Sequence, residues 1–160
     1  HTIQTIFDNV TTDLEEDFIG EALRDHVYDL SVDQQGTHVI RKVLKTRSSY
    51  DNLLAPIFEE IHANLFLLCL NQNGLCVIKI VIELTTTEWQ RRRMIAQISH
   101  DLLQLVTDAY GNYAVSQIVD KWDPSIVKPI FDQLQNKIVE LSMQKFSSNV
   151  IERCLERADP

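Results

Sequence analysis

The chain has 160 residues, 44% of them hydrophobic, and a formal net charge of −8 at pH 7. This length is sufficient for a substantial core, whereas the acidic balance argues against a nonspecific nucleic-acid binder. With only four glycines and four prolines, the composition is typical of a helix-rich chain with short connections.

Cysteine usage and hydropathy indicate the compartment. Cys69, Cys76 and Cys154 form no C-x-x-C pair, and their odd number favours reduced thiols over a disulfide framework. The sequence contains no run of about 20 apolar residues and opens without a signal-peptide pattern. We therefore expect a cytoplasmic protein without a membrane span.

Helical periodicity divides the chain into four similar segments after a short beginning. Residues 1–10 are predicted to be the tail of a helix that starts before the chain, since no N-cap residue is visible there. Each later segment has a long first helix, a short second helix and a long third helix. The predicted repeats cover residues 13–47, 50–84, 87–121 and 123–158, within one domain over residues 1–160.

Capping residues and prolines mark the helix starts. Thr87 and Asp123 are predicted N-caps, and Pro124 fits the first helical position after Asp123. Pro56 is expected in or near the first turn of its helix, where a missing N–H is tolerated. Pro129 is expected to shift or kink the start of the helix that contains it.

A five-residue block recurs in the third helices. Its four copies lie 38, 37 and 36 positions apart, and a glycine or serine precedes each copy. Self-similarity at such a period indicates a solenoid of stacked repeats. The blocks are Thr37-His38-Val39-Ile40-Arg41, Leu75-Cys76-Val77-Ile78-Lys79, Asn112-Tyr113-Ala114-Val115-Ser116 and Ser148-Asn149-Val150-Ile151-Glu152.

Helix geometry sorts the block positions onto two faces, because an α-helix advances about 100° per residue. Positions one, two and five share one arc, and positions three, four, seven and eight share the opposite arc. The second set is apolar in every copy, so we expect it to pack in the core and the first set to be exposed. The apolar set is Val39, Ile40, Val43, Leu44, Val77, Ile78, Val81, Ile82, Ala114, Val115, Ile118, Val119, Val150, Ile151, Cys154 and Leu155.

The last two blocks resemble repeats of a known family. Ser148-Asn149-x-x-Glu152 after Lys145-Phe146-Ser147 is similar to the guanine-reading repeat of the Pumilio family of RNA-binding proteins. Asn112-Tyr113 after Tyr110-Gly111 is similar to the neighbouring uracil-reading repeat. The resemblance extends over the whole chain and implies an all-α fold, a right-handed α-α superhelix of three-helix repeats that read one RNA base each.

The resemblance also implies a role for each block position: positions one and five bond the base edge, and position two stacks between bases. In the fourth repeat, Glu152 would accept from the N–H groups of guanine, Ser148 would add a hydroxyl, and Asn149 would occupy the stacking position. In the third repeat, Asn112 would offer an amide to uracil and Tyr113 a ring for stacking.

The remaining block residues depart from the family pattern. Ser116 stands at position five of the third repeat, where glutamine is usual, so uracil reading there is expected to be weakened. Thr37-His38-x-x-Arg41 keeps a stacking ring, and Arg41 is expected to contact a phosphate. Leu75-Cys76-x-x-Lys79 lacks an edge reader and an aromatic ring, so this repeat is expected to hold the RNA backbone or to let a base turn away.

The resemblance implies partners as well. The expected ligand is single-stranded RNA with a UGU-like element in a messenger RNA 3′ untranslated region, for post-transcriptional repression or decay. Repressor or deadenylase proteins would bind the convex face, and no DNA, membrane, metal or cofactor is expected. His1 and Gln4 would be positions two and five of a preceding repeat, and we expect the chain to be a fragment of a longer solenoid.

Charge is distributed unevenly over the predicted repeats. Asp13–Asp29 contains seven acidic residues and one arginine, whereas Thr37–Arg47 carries four basic residues and no acid. An acidic outer layer over a locally basic inner layer is compatible with RNA on the inner face, and a merely solvated acidic face is the alternative. Arg91–Arg93 lies in a first helix and is expected to face outward, as solvated surface or as a partner contact.

Two other functions stay open at this point. A helical repeat protein that binds a peptide is favoured by the acidic balance and by the two degenerate blocks, and a structural scaffold is the second alternative. Single residues also have simpler interpretations: His38 as a surface histidine, Tyr113 as packing at the core edge, Glu152 as an ion-pair partner of Arg153, and Cys76 as a small apolar filler.

Catalytic motifs are missing from the sequence. The five histidines form no H-E-x-x-H motif and no metal-ligand spacing with the cysteines. No glycine-rich phosphate loop and no nucleophile elbow occur. We therefore expect a protein that is not an enzyme.

Overall fold

The computed structural model describes the backbone of residues 13–46 and 51–157 and the side chains of residues 18–45 and 54–157. Within these ranges the fold is all-α, and no helix is both long and apolar enough to cross a membrane. The helices are α1 Asp13–Leu23, α2 Val27–Val32, α3 Gly36–Thr46, α4 Asp51–Ala63, α5 Leu65–Cys69, α6 Gln72–Leu84, α7 Glu88–His100, α8 Leu102–Thr107, α9 Gly111–Lys121, α10 Pro124–Leu134, a 3₁₀ turn Gln135–Lys137, α11 Ile138–Ser142 and α12 Ser147–Arg157.

The helices form four consecutive triplets that stack as a solenoid. Each triplet has a first helix, a short second helix and a third helix, and α3, α6, α9 and α12 are called the reader helices. Each reader helix packs against the next, which builds the inner layer. The first helices form the outer layer, where α1 packs on α4 and α7 packs on α10.

The core lies between the two layers. The apolar face predicted for the third helices is buried almost throughout, as the helical period requires. The exceptions are Val39 and Cys154, which are half-buried, and Leu155, which is 59% exposed because no helix of the described ranges covers it. Trp122, between the third and fourth triplets, is only 2% exposed and adds the largest buried ring.

A small residue at the start of each reader helix allows the second helix to approach closely. A Cβ atom placed on Gly74 would lie 2.6 Å from the backbone oxygen of Leu68, well inside van der Waals contact. Gly36 and Gly111 have the same relation to the oxygens of the equivalent leucines, at 2.7 Å. In the fourth triplet the hydroxyl of Ser147 donates to the backbone oxygen of Leu141 at 2.7 Å. A hydrogen bond therefore takes the place of the close glycine contact seen in the other three.

An Asp or Asn three residues before each glycine caps the reader helix. Oδ1 of Asp33 accepts from the N–H groups of Gln35 and Gly36, and Asn71 and Asp108 repeat this turn before their own glycines. The backbone N–H groups hold the pKa of Asp33 below its ordinary value. These three residues recur at the period of the repeat but lie outside the five-residue block. Their spacing is therefore an additional sequence signal for the cap.

The predicted N-caps are confirmed, whereas the expected place of Pro56 and the expected shift of a helix start by Pro129 are wrong. Thr87 forms a capping box with Gln90, and Asp123 accepts from the N–H of Ser125 behind Pro124. Pro56 lies well inside α4 rather than near its first turn, because the helix already begins at Asp51. Pro129 lies inside α10 and does not shift its start, since the Asp123 cap and Pro124 fix that start.

The arginine run Arg91–Arg93 is not simply a solvated surface, which corrects the sequence expectation. Nε of Arg91 donates to the backbone oxygen of Thr85 at 3.0 Å, and its guanidinium lies 5.7 Å from the ring centre of Trp122. Arg91 therefore connects the end of α6 to the start of α10. Arg92 pairs with Glu88 on its own helix, and Arg93 pairs with Glu59 on α4.

The outer layer opens between the second and third triplets. Here α4 and α7 pack much less closely than the neighbouring first helices do, and two cavities of about 450 Å³ each lie between them. Two polar bridges cross this outer cleft. Arg93 makes two hydrogen bonds to the carboxylate of Glu59, at 2.6 and 2.7 Å, and the ring of His62 contacts Oε1 of Gln97 at 2.7 Å.

Candidate nucleic-acid interface

Positions two and five of the reader helices lie on consecutive helices of the inner layer, and we call these eight residues the reading strip. His38, Tyr113 and Asn149 are exposed at position two, and Lys79 and Glu152 are exposed at position five. The other three members are half-buried. The complete strip is His38, Arg41, Cys76, Lys79, Tyr113, Ser116, Asn149 and Glu152.

Position one is buried in three repeats, which corrects the expectation of a shared exposed face. Thr37, Leu75 and Asn112 are 4%, 6% and 0% exposed, while Ser148 is half-buried. The cause is the stacking of the next repeat. The hydroxyl of Thr37, for example, donates to the backbone oxygen of Asn73, in the turn before the next reader helix.

The buried amide of Asn112 is engaged within the protein. Its Nδ2 donates to the backbone oxygens of Asp108 at 2.8 Å and Ala109 at 3.1 Å, and its Oδ1 accepts from Nδ2 of Asn149 at 3.4 Å. An edge contact between Asn112 and uracil stays a prediction, and it requires an exchange of these bonds on binding.

Tyr113 presents its ring to solvent beside a cation. The residue is 50% exposed, so it is not simply packing at the core edge. Nζ of Lys79, from the preceding repeat, lies over the ring at 5.3 Å from its centre. This contact joins position five of the second repeat to position two of the third.

Glu152 presents an exposed carboxylate on the strip. The alternative in which it pairs with Arg153 is not the arrangement observed, because Arg153 bonds Glu156 at 2.8 Å and lies 3.8 Å from Asp120. No hydrogen bond or ion pair to Glu152 occurs among the residues described here. Its two carboxylate oxygens are therefore open to an external donor.

Position five of the third repeat is Ser116, and no glutamine takes its place in the structure. The hydroxyl of Ser116 is buried and has no hydrogen-bond partner among the described groups. Gln117, one place further on, donates from Nε2 to the backbone oxygen of Lys79 at 3.1 Å. Gln117 therefore links α9 to α6 and does not replace the missing reader.

The first two repeats lack the Asn, Ser and Glu groups that the resemblance assigns to base edges in the last two. Thr37 is buried, whereas the His38 ring is exposed, and Nε of Arg41 is buried without a partner in the described part of the chain. In the second repeat the thiol of Cys76 donates to the backbone oxygen of Gln72 at 3.6 Å. A thiol on its own helix provides neither a ring nor an edge contact.

His1 and Gln4 lie outside the described residues. Within the described ranges, no group of three or more His, Cys, Asp or Glu side chains is arranged to hold a metal ion.

Comparison with known proteins agrees with the repeat geometry. The sequence model of the Pumilio-family RNA binding repeat matches residues 26–62, 64–99, 101–135 and 137–160. The chain is 35% identical over 153 residues to putative pumilio homolog 8, chloroplastic, of Arabidopsis thaliana, covering 96% of the chain and 29% of that protein. It is 32% identical to the pumilio domain-containing protein C6G9.14 of Schizosaccharomyces pombe, covering 96% of the chain and 22% of that protein.

Solved structures show the same solenoid. The Puf4 RNA binding domain bound to the HO endonuclease RNA 3′ UTR recognition sequence superposes with a TM-score of 0.86 at 29% identity, over 97% of this chain and 48% of that chain. PUF-8 in complex with PBE-RNA superposes with a TM-score of 0.85 at 23% identity, over 99% of this chain and 46% of that chain, which supports the fold alone. The chain thus spans less than a third of the two relatives and about half of the two solved domains.

Proposed function

Because the chain belongs to the Pumilio family of RNA-binding repeat proteins, we propose that it binds single-stranded RNA along its reading strip, with about one base facing each repeat. The strip follows the inner layer of a solenoid, which presents one set of reader positions in each repeat. Stacking of bases on exposed rings such as His38 and Tyr113 and hydrogen bonds to base edges are the interactions that such a surface offers.

The observation that carries the proposal is the free carboxylate of Glu152. Guanine presents two adjacent N–H donors on its Watson–Crick edge, and these match the two acceptor oxygens of a carboxylate. Uracil offers one donor between two acceptors, and cytosine offers one amino donor beside an acceptor, so each meets the carboxylate less well. Ser148, half-buried beside it, adds a hydroxyl that donates to the Lys145 backbone oxygen at 3.4 Å.

The order of the repeats sets the preferred RNA sequence. On the family pattern the RNA runs antiparallel to the protein chain, so the fourth repeat takes a base 5′ to the one at the third. We assign guanine to the fourth repeat and uracil to the third, with Tyr113 as the stacking ring. This pair forms part of a UGU-like element, and its first uracil lies beyond the fourth repeat.

The cellular role that we propose is post-transcriptional control of messenger RNA. The Puf4 domain, which is 29% identical to this chain, is bound to a 3′ UTR recognition sequence, and this supports a 3′ untranslated region as the target. Repression or decay would follow from repressor or deadenylase proteins on the outer layer. The three free cysteines fit the cytoplasm as the compartment for this role.

A binding assay with two oligonucleotides tests the proposal. Fluorescence anisotropy should give a Kd for a UGU-containing oligonucleotide that is roughly tenfold or more below that for the UCU version. Glu152→Gln should reduce this ratio, whereas Glu156→Gln, on the same helix but paired with Arg153, should leave it unchanged. Equal binding of both oligonucleotides would reject base reading, and binding of a peptide instead would favour the alternative function.

A further inference from the structure

The contact between Lys79 and Tyr113 distinguishes the junction of the second and third repeats. Lys79 occupies position five of the second repeat, and its ammonium lies 5.3 Å above the ring centre of Tyr113 at position two of the third. A nucleobase between these repeats would stack on that ring in the proposed binding mode. The ammonium therefore occupies the place that the base of the second repeat needs, on the face of the ring that Lys79 covers.

The second repeat offers nothing that would make displacement of Lys79 favourable. Leu75, at position one, is apolar and 6% exposed, so it cannot bond a base edge. Cys76, at position two, is a half-buried thiol that donates to the Gln72 backbone oxygen, so no second ring closes the slot from the other side. A base in this slot would lose water on its edge and gain no hydrogen bond in return.

A hydrogen bond holds the backbone of Lys79, and no ion pair of the described residues uses its charge. Gln117 donates to the backbone oxygen of Lys79 at 3.1 Å, which fixes this part of α6 against α9. No carboxylate of the described residues pairs with the Lys79 ammonium, whereas Lys121 on α9 is paired with Glu83 at 2.9 Å. An unpaired ammonium on the inner layer is suited to a phosphate oxygen.

We propose that Lys79 fills the stacking slot between the second and third repeats, so that RNA crosses the second repeat with its base turned out and a phosphate on the Lys79 ammonium. This inference rests on the proposed function, and it adds that no base is read at the second repeat. Lys79 sets a gap in the row of stacked bases, and the nucleotide at that place is not selected by its base.

Abasic nucleotides test the gap directly. In one oligonucleotide the abasic site faces the second repeat, and in another it faces the fourth repeat in place of guanine. For the 160-residue chain, the first change should alter Kd by less than about twofold, and the second should raise Kd by roughly tenfold or more. The same measurements on Lys79→Ala should show a several-fold cost for the first abasic site, because the Tyr113 ring is then open to a base.

A second variant separates the filling of the slot from the charge. Lys79→Met keeps the length of the side chain and removes the ammonium. The first abasic site should therefore still change Kd by less than about twofold. Both Lys79 variants should lower the slope of log Kd against log salt by about 0.7, the value for one phosphate contact on a single strand. Lys128→Ala, whose ammonium pairs with Asp132 on the outer helix α10, is the matched control and should change neither readout.

The outcomes distinguish this inference from the proposed function. A large cost of the first abasic site in the unchanged protein, or an unchanged salt slope in both Lys79 variants, would overturn the role of Lys79 while base reading by the fourth repeat stands. If the second abasic site costs nothing, the proposed function itself fails, and the inference fails with it.

Discussion

Asn149 and Asn112 touch across two repeats, with Nδ2 of Asn149 lying 3.4 Å from Oδ1 of Asn112. Position two of the fourth repeat therefore contacts position one of the third. Because the same Asn112 amide also bonds Asp108 and Ala109, the contact links the exposed strip to the buried start of α9. The third and fourth repeats are thus structurally coupled at this junction.

A double-mutant cycle measures this coupling. Asn112→Ala and Asn149→Ala should each weaken binding of the UGU oligonucleotide, and their combined effect should differ from the sum by roughly 0.5–3 kcal/mol, as for residues in contact. His38→Ala combined with Asn149→Ala is the control, since these residues share no contact and should be additive within about 0.5 kcal/mol. Additivity in both cycles would show that the Asn149–Asn112 contact carries no binding energy.

The base preference of the fourth repeat should follow its three residues. Replacing Ser148→Asn, Asn149→Tyr and Glu152→Gln together gives it the pattern of a uracil-reading repeat. The preference at the base facing that repeat should then move from guanine toward uracil, because a Gln amide donates and accepts whereas a carboxylate only accepts. Competition binding with the four possible bases at this place is the measurement. An unchanged guanine preference would remove Glu152 from the reading role.

The close approach at Gly74 predicts that a glycine-to-alanine substitution lowers the free energy of unfolding, whereas in most helices it raises it. Gly→Ala within a helix ordinarily stabilises by about 0.5–1 kcal/mol. Gly74→Ala should instead destabilise by about 1–3 kcal/mol, because the new methyl group meets the Leu68 backbone oxygen. Urea denaturation followed by circular dichroism gives the difference. A stabilised variant would show that the second helix shifts away freely.

Ser147 provides the control for this steric argument. Its position already accommodates a Cβ atom, and its hydroxyl bonds the Leu141 oxygen. Ser147→Ala should therefore cost only the hydrogen bond, about 1 kcal/mol, without a clash.

Burial of His62 predicts a pH dependence of stability. His62 is 6% exposed, and burial holds its pKa below the ordinary value of 6.5. Gln97 Nε2 donates to the His62 backbone oxygen, so Oε1 of Gln97 is the acceptor for the neutral Nδ1–H. Below the ordinary value, the unfolded chain takes up a proton more readily than the folded one. The free energy of unfolding is therefore expected to be highest above pH 6.5 and to fall as pH decreases.

The comparison of two histidine variants isolates this effect. Between about pH 7 and about pH 5, the loss of stability should be smaller in His62→Gln than in the unchanged protein, since glutamine does not titrate. His26→Gln, at an exposed histidine without a side-chain hydrogen bond, should keep the original slope. Denaturant titrations at several pH values give the slopes. Identical slopes in all three proteins would exclude His62 as the source.

Helix pattern and core were predictable because they depend on local periodicity. Residues such as Ile78 and Val115 are apolar at helical spacing, and the structure buries both completely. The N-caps Thr87 and Asp123 were equally readable, since a cap acts within three residues of itself. The start of α4 before Pro56 was misjudged, because proline is favoured in the first helical turn, whereas this helix already begins at Asp51.

The exposure of the block positions was only partly predictable, because it depends on the adjacent repeat. Thr37 shares a helix face with exposed His38, yet it is buried under a turn about one repeat further along the chain. The same holds for Arg91, whose partners Thr85 and Trp122 lie in the connections before and after the third repeat. A period in the sequence gives the unit but not the contacts between units.

The sparse packing between α4 and α7 has a mechanical consequence. When each unit touches only its neighbours, the weakest junction determines where the array breaks. In the described part of the chain, two polar bridges cross the outer cleft at this junction, so a pulling force should separate the repeats first between Leu84 and Glu88. RNA bound along the inner layer would span this junction and should raise the force that is needed to separate the two repeats.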